Sequence, residues 1–222
     1  MVVGNGLIAG AFSCFSERKD VVIFASGVSN SKETSVEAFL REENLLNKYR
    51  SENKLLVYFS TFSVFDPSLS NSAYVKHKKK MEQLVQSSKN SHLIFRLPIM
   101  VGGSKNPHTL INFLANKIKA NEVFTLHANA CRYLLSISDL SGILTDVIND
   151  SSFFNQAYNI SSTKQLKVLG IVAILENILD RKARFETVES GSCYKVEVSK
   201  KLKAHENFSL RTAHEMLTEY YS

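Results

Sequence analysis

The 222-residue chain is 44% hydrophobic and 22% charged, a balance that suits one compact domain with a sizeable core. It contains no apolar run of the roughly 18 to 20 residues that a bilayer-spanning helix needs, so we expect no membrane partner. The start Met1-Val2-Val3 is typical of a strand before a glycine turn and not of a signal peptide. The three cysteines are far apart and predict neither a disulfide framework nor a metal site: Cys14, Cys131 and Cys193. These features together predict a cytoplasmic protein without a metal.

The formal net charge is +6, and much of the excess comes from lysines within 76–80 and 195–203. No recognised nucleic-acid-binding motif or interleaved aromatic platform accompanies them, so we expect no nucleic-acid partner. A mildly basic surface also suits an anionic small ligand.

Strand-like and helix-like segments alternate along the chain, which predicts an α/β fold with a parallel sheet and helical crossovers. In the first half the predicted strands are 1–3, 21–25, 55–59 and 92–96, and the predicted helices are 7–16, 33–50 and 74–88. In the second half the strands are 123–126, 133–137 and 157–160, and the helices are 109–120, 139–148, 165–179 and 208–220. Ser72 and Ser138 are the expected N-caps of the helices that follow them. With no internal repeat or linker, residues 1–222 are predicted to form a single domain with a small C-terminal lobe.

The segment Gly4-Asn5-Gly6-Leu7-Ile8-Ala9 matches G-x-G-x-x-A between a predicted strand and a predicted helix. Gly4 permits a tight turn, Gly6 lets the backbone approach a pyrophosphate, and small Ala9 allows close helix–strand packing. The free N–H groups at the helix N-terminus favour phosphate there. The segment therefore predicts dinucleotide binding.

The adenosine side of such a site is shortened. A dinucleotide site normally has a second strand ending in an acidic residue for the ribose, but only residues 16–20 separate the first helix from the strand 21–25. The interval from Ala25 to Thr61 holds one helix, so we expect about one strand–helix unit to be missing. Arg18 and Lys19 could meet a 2′-phosphate, which favours NADP slightly over NAD.

Tyr74 and Lys78 are four residues apart in a predicted helix, which places both on one face. An ammonium near a phenol lowers its pKa, and a hydroxyl at Thr61, at the end of the preceding strand, could hold a substrate oxygen against it. This trio is suited to moving a proton on or off an alcohol while a cofactor carries hydride.

In this arrangement the chain resembles an extended short-chain dehydrogenase/reductase, of the NAD-dependent epimerase/dehydratase group that acts on nucleotide sugars. The glycine turn resembles the family's G-x-x-G-x-x-G, shortened by one residue, and residues 60–65 resemble its S-S/T-x-x-V-Y strand end. Further matches in the family's order are 20–26, Tyr74 with Lys78, 96–102, 131–140 and 157–161. The resemblance implies a Rossmann-like doubly wound sheet with a small α+β substrate lobe.

The resemblance also implies roles for individual residues. The catalytic residues would be Thr61, Tyr74 and Lys78. Coenzyme would contact Gly4, Asn5, Gly6, Leu7, Ile8, Ala25, Ser26, Gly27, Tyr74, Lys78, Pro98 and Ile99, and substrate would contact Ser63, Met100 and Arg132. Asn44 occupies the place of a helical Asn of the family. Residues to about 105 would mainly bind coenzyme and carry catalysis, and 106–222 would be mixed and include the substrate lobe.

The residues after Thr61 sort the activities of the family. Dehydratases carry an Asp-Glu pair where this chain has Phe62-Ser63, and epimerase-reductases of the fucose-synthase kind carry a Cys where Ser63 stands. Reduction of a 4-keto sugar nucleotide is therefore favoured slightly over 4-epimerisation, with Tyr74 as proton donor. A catalytically silent nucleotide- or partner-binding protein is the alternative of another class. The family often dimerises through the helices equivalent to 33–50 and 74–88, so a homodimer through a four-helix contact is a further expectation, and the face of Val36, Phe39 and Leu40 would permit it.

Overall fold

The computed structural model describes residues 1–104, 106–107 and 109–222. Strands and helices alternate as predicted, and every strand and helix expected from the sequence has a counterpart. The strands are β1 Val2–Val3, β2 Val21–Phe24, β3 Leu55–Thr61, β4 His92–Leu97, β5 Ile99–Val101, β6 Val123–His127, β7 Cys131–Arg132, β8 Leu134–Ser136, β9 Gln156–Asn159, β10 Leu166–Lys167 and β11 Arg184–Val188. The helices are α1 Leu7–Ala11, α2 Val36–Asn47, α3 Ala73–Gln86, α4 Leu110–Lys119, α5 Ile137–Val147, α6 Val168–Leu179, α7 Lys200–Lys203 and α8 Ala213–Tyr221.

The central sheet is parallel and has the order β1-β2-β3-β4-β9. In the standard dinucleotide-binding order, 3-2-1-4-5-6, two strands lie beyond the first strand. Here β1 is the edge strand of the described sheet. The shortening that the sequence predicts therefore lies at this edge, on the side of the glycine turn where the sequence predicts the adenosine of a coenzyme.

Both faces of the sheet are covered by helices, which explains why its strands are continuous apolar runs. In β2, Val21 and Ile23 face the core beneath α1 and α5, while Val22 and Phe24 face the core beneath α2 and α3. This doubly covered parallel sheet confirms the predicted fold class. None of the helices in the described part of the chain is long and apolar enough to cross a bilayer.

Helix starts follow their side-chain caps. Ser72 caps α3 as predicted, because its hydroxyl accepts from the N–H of Val75 at 3.2 Å. The predicted cap Ser138 is wrong: Ser136 accepts the bond that starts α5, from Asp139 N at 3.0 Å, and Ser138 lies inside the helix. Ser136 and Ser138 can both cap the free backbone N–H groups at the start of the helix, and the sequence alone does not show which of the two serines does so.

The C-terminal lobe contains elements that the sequence did not predict. β5 pairs with β8, β7 pairs with β10, and β11 pairs with β6. A second core forms between α4, α6 and α8. Two helices begin later than predicted. Residues just before α6 form β10, and α8 begins after a capping box made by Thr212 and Glu215.

Cys131 and Cys193 form a disulfide across 62 residues of sequence, which corrects the expectation that the cysteines are unrelated. Segment 190–193 runs beside the start of β7, where Cys131 N donates to the carbonyl of Ser192 at 3.1 Å. Spacing alone could not show this contact, because it depends on how the lobe folds. Cys14 is exposed and free. The disulfide removes one ground for expecting a reducing compartment. The predicted functional division at about residue 105 falls on a position outside the described residues.

Candidate functional site

The candidate site lies at the carboxyl edge of the parallel sheet, where β1 ends at the glycine turn and β3 ends at Thr61. Helix α3 begins beside the end of β3 and carries Tyr74 and Lys78 in its first two turns. The ammonium of Lys78 reaches the carbonyl of Phe59 in β3 at 3.2 Å. The three predicted catalytic residues are thus brought together at the edge where open α/β sheets bind ligands.

The glycine turn has the tight geometry that the sequence predicts. Gly4 has φ +130°, and a Cβ added there would lie 2.5 Å from the carbonyl oxygen of Ala25. A residue with a side chain could not adopt this conformation without displacing the end of β2. A Cβ at Gly6 would meet nothing within 4 Å, so there is room beside the backbone at the start of α1. A cavity of about 430 Å³ between α1 and α5 opens next to Gly6 and Leu7.

The predicted coenzyme contacts after β4 lie near this turn. β5 follows Pro98 and pairs with β8, and it ends beside Gly102, where an added Cβ would lie 3.0 Å from Leu7 Cδ1. Ile8 and Met100 pack against the core under α1 and α5, whereas Ile99 packs against the lobe core. Asn5 is exposed. The 98–100 segment therefore joins the glycine turn to the lobe.

Tyr74 is deeply buried, with 5% of its surface exposed, and it packs against Val28 and Val75. Burial raises the pKa of Tyr74 to about 12; the nearby Thr61 hydroxyl opposes this rise and the charge of Glu42 adds to it. The expectation that Lys78 lowers the pKa of this phenol is therefore wrong in this structure. With this pKa the phenol is protonated at neutral pH.

Lys78 is held by a partner that the sequence did not suggest. Its ammonium lies 3.2 Å from Glu42 Oε1 and 4.6 Å from the centre of the Tyr58 ring. Burial lowers the pKa of Lys78, and the carboxylate of Glu42 opposes that shift. The charge of the ammonium is thus offset by Glu42. Burial remains the main reason that the Tyr74 phenol keeps its proton.

Glu42 has no exposed surface and accepts four contacts. Oε1 accepts from Tyr58 OH at 2.7 Å and from Lys78; Oε2 accepts from Val28 N at 2.6 Å and lies 3.0 Å from His77 Nε2. Burial alone would raise the pKa of Glu42, but the Lys78 charge and the hydrogen bonds from His77, Val28 and Tyr58 lower it to about 2. Glu42 is therefore an ionised carboxylate inside the protein.

The sequence did carry a signal for Glu42. In α2, positions 39, 42 and 46 share one face, and both Phe39 and Leu46 are apolar. An acid in an apolar stripe requires a buried partner, since an unpaired buried charge is costly. Asn44, which was matched to the Asn of the family, is exposed and lies on another face.

The segment after β2 lies directly beside Glu42 and Lys78. Arg41 donates to the hydroxyl of Ser26 at 3.1 Å and to its carbonyl at 3.0 Å. A Cβ at Gly27 would lie 3.0 Å from both Glu42 Oε1 and Lys78 Nζ, so Gly27 is required for this close approach. Gly27, one of the predicted coenzyme residues, therefore lies directly beside Lys78, one of the three predicted catalytic residues.

The predicted substrate residues lie on the lobe side of Thr61. Ser63 N donates to Thr61 Oγ1 at 3.1 Å, and the two hydroxyls are 3.1 Å apart. Arg132 lies 3.9 Å from buried Asp66. Asp139 at the start of α5 pairs with Arg211.

Arg18 lies at the opposite end of the sheet from the glycine turn, which corrects the reason for favouring NADP. It precedes the start of β2 and bonds Asp20 at 2.7 Å and Asn149 at 2.8 Å. Lys19 lies on the same connection. In a parallel pair the start of β2 is at the edge opposite the end of β1, so these cations cannot reach a 2′-phosphate held there. Among the described residues, no group of three or more His, Cys, Asp or Glu side chains is arranged to hold a metal ion.

No protein-family model matches the sequence, and no curated protein sequence matches it either. Solved structures do match. MoeE5 in complex with UDP-glucuronic acid and NAD has a TM-score of 0.77 at 16% identity, over 99% of this chain and 83% of that chain.

Two further structures match similarly. UDP-glucuronic acid 4-epimerase from Bacillus cereus, in complex with UDP-glucuronic acid and NAD, gives a TM-score of 0.74 at 16% identity over 95% of this chain and 77% of that chain. RMD from Pseudomonas aeruginosa complexed with NADPH gives a TM-score of 0.69 at 17% identity, over 97% and 85%. At these identities the similarity establishes the fold, and it is the fold that the sequence resemblance predicts.

Proposed function

We propose that the chain is an NAD(P)-dependent oxidoreductase of nucleotide sugars, of the extended short-chain dehydrogenase/reductase type, and that it reduces a 4-keto group. One observation carries the proposal: Thr61, Tyr74 and Lys78 meet at the same sheet edge as the glycine turn. Residues up to about 105 would supply most of the coenzyme and catalytic contacts, and the lobe would supply substrate contacts.

The phenol of Tyr74 would donate its proton to the keto oxygen, and the Thr61 hydroxyl would orient that oxygen. A bound nicotinamide dinucleotide supplies the hydride for the keto carbon. The product is an alcohol, and the tyrosinate regains its proton from solvent. A raised pKa of about 12 keeps the phenol protonated before this step, which suits reduction better than oxidation. Arg132 would contact the nucleotide phosphate, while Ser63 and Met100 would border the sugar.

The residues present fit such a coenzyme on the pyrophosphate side. Gly4 permits the tight turn against Ala25, Gly6 leaves open space beside the backbone, and Ala25–Gly27 lies between the turn and Lys78. On the adenosine side, β1 is the edge of the described sheet, so coenzyme contacts there would be fewer. Val28 packs against Tyr74, whose side chain is 5% exposed.

Fluorescence titration with NADH and NADPH, followed by turnover assays on 4-keto sugar nucleotides, tests the proposal. We expect saturable binding of at least one coenzyme. Tyr74→Phe should abolish turnover with little change in affinity, because the phenol moves a proton while the backbone holds the coenzyme. Full turnover by Tyr74→Phe would contradict the proposal.

A 4-epimerase is the alternative within the same chemistry. It would oxidise the sugar first and would therefore need Tyr74 as a base. The raised pKa of Tyr74 argues against that order. Conversion of a sugar nucleotide to its 4-epimer without added reductant would favour the epimerase.

The second candidate function is a catalytically silent protein that binds a nucleotide or a partner. The burial of Tyr74 and Lys78 favours this candidate. Tyr74 and Lys78 are both at most 5% exposed, and Glu42 offsets the charge of Lys78. No saturable binding of either coenzyme would establish this alternative over the enzyme.

We further propose that the protein forms a homodimer through α2 and α3. Val36 is 62% exposed and Leu40 is 49% exposed, while Phe39 is stacked on His77 within the monomer. The mass in solution tests this: Leu40→Glu should convert a dimer to a monomer, and a monomeric parent protein would contradict it.

A further inference from the structure

Glu42 connects four parts of the site that the proposed function uses separately. Its carboxylate contacts Tyr58 in β3, His77 and Lys78 in α3, and the backbone of Val28. It is itself part of α2, so one side chain joins two helices, a strand and the segment after β2.

The contacts fix the charge and the proton positions around Glu42. An ionised carboxylate only accepts hydrogen bonds, so each neighbour must donate to it. His77 therefore carries a proton on Nε2, and Phe39 stacks on its ring at 4.5 Å between centroids. The ends of both side chains, His77 and Lys78, are therefore held in place. Phe39 stacks on the His77 ring, and the Lys78 ammonium also donates a hydrogen bond to the Phe59 carbonyl.

We propose that Glu42 is a positioning residue for the proton transfer at Tyr74: it orients the ammonium of Lys78 and holds the Gly27–Val28 segment against the phenol. The inference rests on the proposed function, because it assigns Glu42 to the same proton transfer. Glu42 does not touch the reacting atoms and acts through Lys78 and Val28.

The negative charge of Glu42 has a consequence that packing alone does not have. It disfavours a second negative charge at Tyr74, so it adds to the effect of burial, which is the main reason that the phenol stays protonated. Replacing it with the isosteric amide keeps most of the hydrogen-bonding shape but removes the charge. The ionisation of Tyr74 should then move to lower pH in a protein whose Lys78 keeps the same charge.

Alkaline titration of Glu42→Gln tests the inference, with tyrosinate absorbance as the readout. The chain has eight tyrosines, so each titration is compared with the same background carrying Tyr74→Phe, and the difference belongs to Tyr74. We expect the Tyr74 midpoint to fall, but by less than burial raises it, because burial is the larger cause and the substitution leaves it in place. The matched control is Glu43→Gln, which removes a charge from the next residue, on the surface beside Lys80, and should leave the midpoint unchanged.

A folded Glu42→Gln protein with an unchanged Tyr74 midpoint would overturn the inference. If Glu42→Gln does not fold, the double variant Glu42→Gln/Lys78→Met, which buries no unpaired charge, is compared with Lys78→Met alone. The Tyr74 midpoint should be lower in the double variant, which lacks the carboxylate, and equal midpoints would overturn the inference. The pH profile of turnover separates the two proposals. If the alkaline limb of the turnover profile shifts downward together with the Tyr74 titration, both the proposed function and the role of Glu42 are supported. If the Tyr74 titration shifts but the protein turns over no keto sugar, the proposed function is contradicted and the link between Glu42 and Tyr74 remains.

Discussion

Acid should unfold this protein partly through Glu42, and the size of the effect follows from its surroundings. In the folded protein the Lys78 charge and three hydrogen bonds hold the pKa of Glu42 at about 2, compared with its ordinary value of 4.5. A carboxyl group whose pKa is lowered by folding stabilises the folded state above the unfolded pKa. That stability is lost as the pH falls from 4.5 through about 2. The gap corresponds to about 3 kcal/mol of unfolding free energy at neutral pH.

Glu42→Gln removes this contribution and leaves the ammonium of Lys78 without its counter-charge. We expect the variant to lose about 3 to 5 kcal/mol at neutral pH, the usual cost of breaking a buried ion pair from one side. The loss should shrink as the pH falls, because the parent protein then protonates the same carboxyl group. Urea unfolding over a series of pH values from neutral to acid measures both trends.

Glu43→Gln is the control for general charge effects. Glu43 pairs with Lys80 at 2.6 Å, but that lysine is 55% exposed, so the pair should contribute at most about 1 kcal/mol. Its stability curve should run parallel to that of the parent. A constant difference between Glu42→Gln and the parent at every pH would refute the reasoning, because it would mean that the carboxyl group is not ionised in the folded protein.

Three further predictions concern the framework of the site. Gly4→Ala should destabilise the protein by about 2 kcal/mol or more in urea unfolding, because φ at Gly4 is +130° and the new Cβ has no room. The control Gly10→Ala adds a Cβ that meets open space beside α1, so it should be neutral or slightly stabilising. The double variant Cys131→Ala/Cys193→Ala, or reductant, should lower stability by about 2 to 5 kcal/mol by the same measurement, and no change would show that the thiols are reduced in solution. Arg96→Met should lower the free energy of unfolding by about 3 kcal/mol, because it leaves the nearly buried carboxylate of Glu82 in α3 without the guanidinium that contacts it at 2.6 Å. Unaltered thermal unfolding would contradict this prediction.

The parts of the site that were predictable follow from local sequence. Ser72, Tyr74 and Lys78 lie within seven residues of one another, so the cap and the helix period together place the pair on α3. The parallel sheet followed from alternating apolar runs, and the turn at Gly4 followed from two glycines after a strand. In each case the information lies within a few neighbouring positions.

The parts that were missed depend on contacts between distant segments. Glu42 and Lys78 are 36 residues apart, and Cys131 and Cys193 are 62 apart, so each pairing exists only once the fold is formed. The pKa of Tyr74 was predicted in the wrong direction for the same reason. A lysine four residues away was visible, whereas the burial that raises this pKa and the Glu42 charge that adds to it depend on segments distant in sequence.

The edge position of β1 and the burial of Lys78 bear on different halves of a coenzyme. Where β1 ends the described sheet, no strand beyond it supplies a residue for an adenosine ribose, so the affinity for the proposed coenzyme would have to come from the glycine turn and the nicotinamide side. In the proposed complex the nicotinamide would lie beside Lys78, whose ammonium already contacts Glu42 and the Phe59 carbonyl, so a ribose hydroxyl would have to share or replace one of these contacts. Because a buried charge is costly without its partner, sharing is less costly than replacement. Glu42 would then remain bonded to Lys78 in the coenzyme complex, and its charge would act on Tyr74 throughout the reaction.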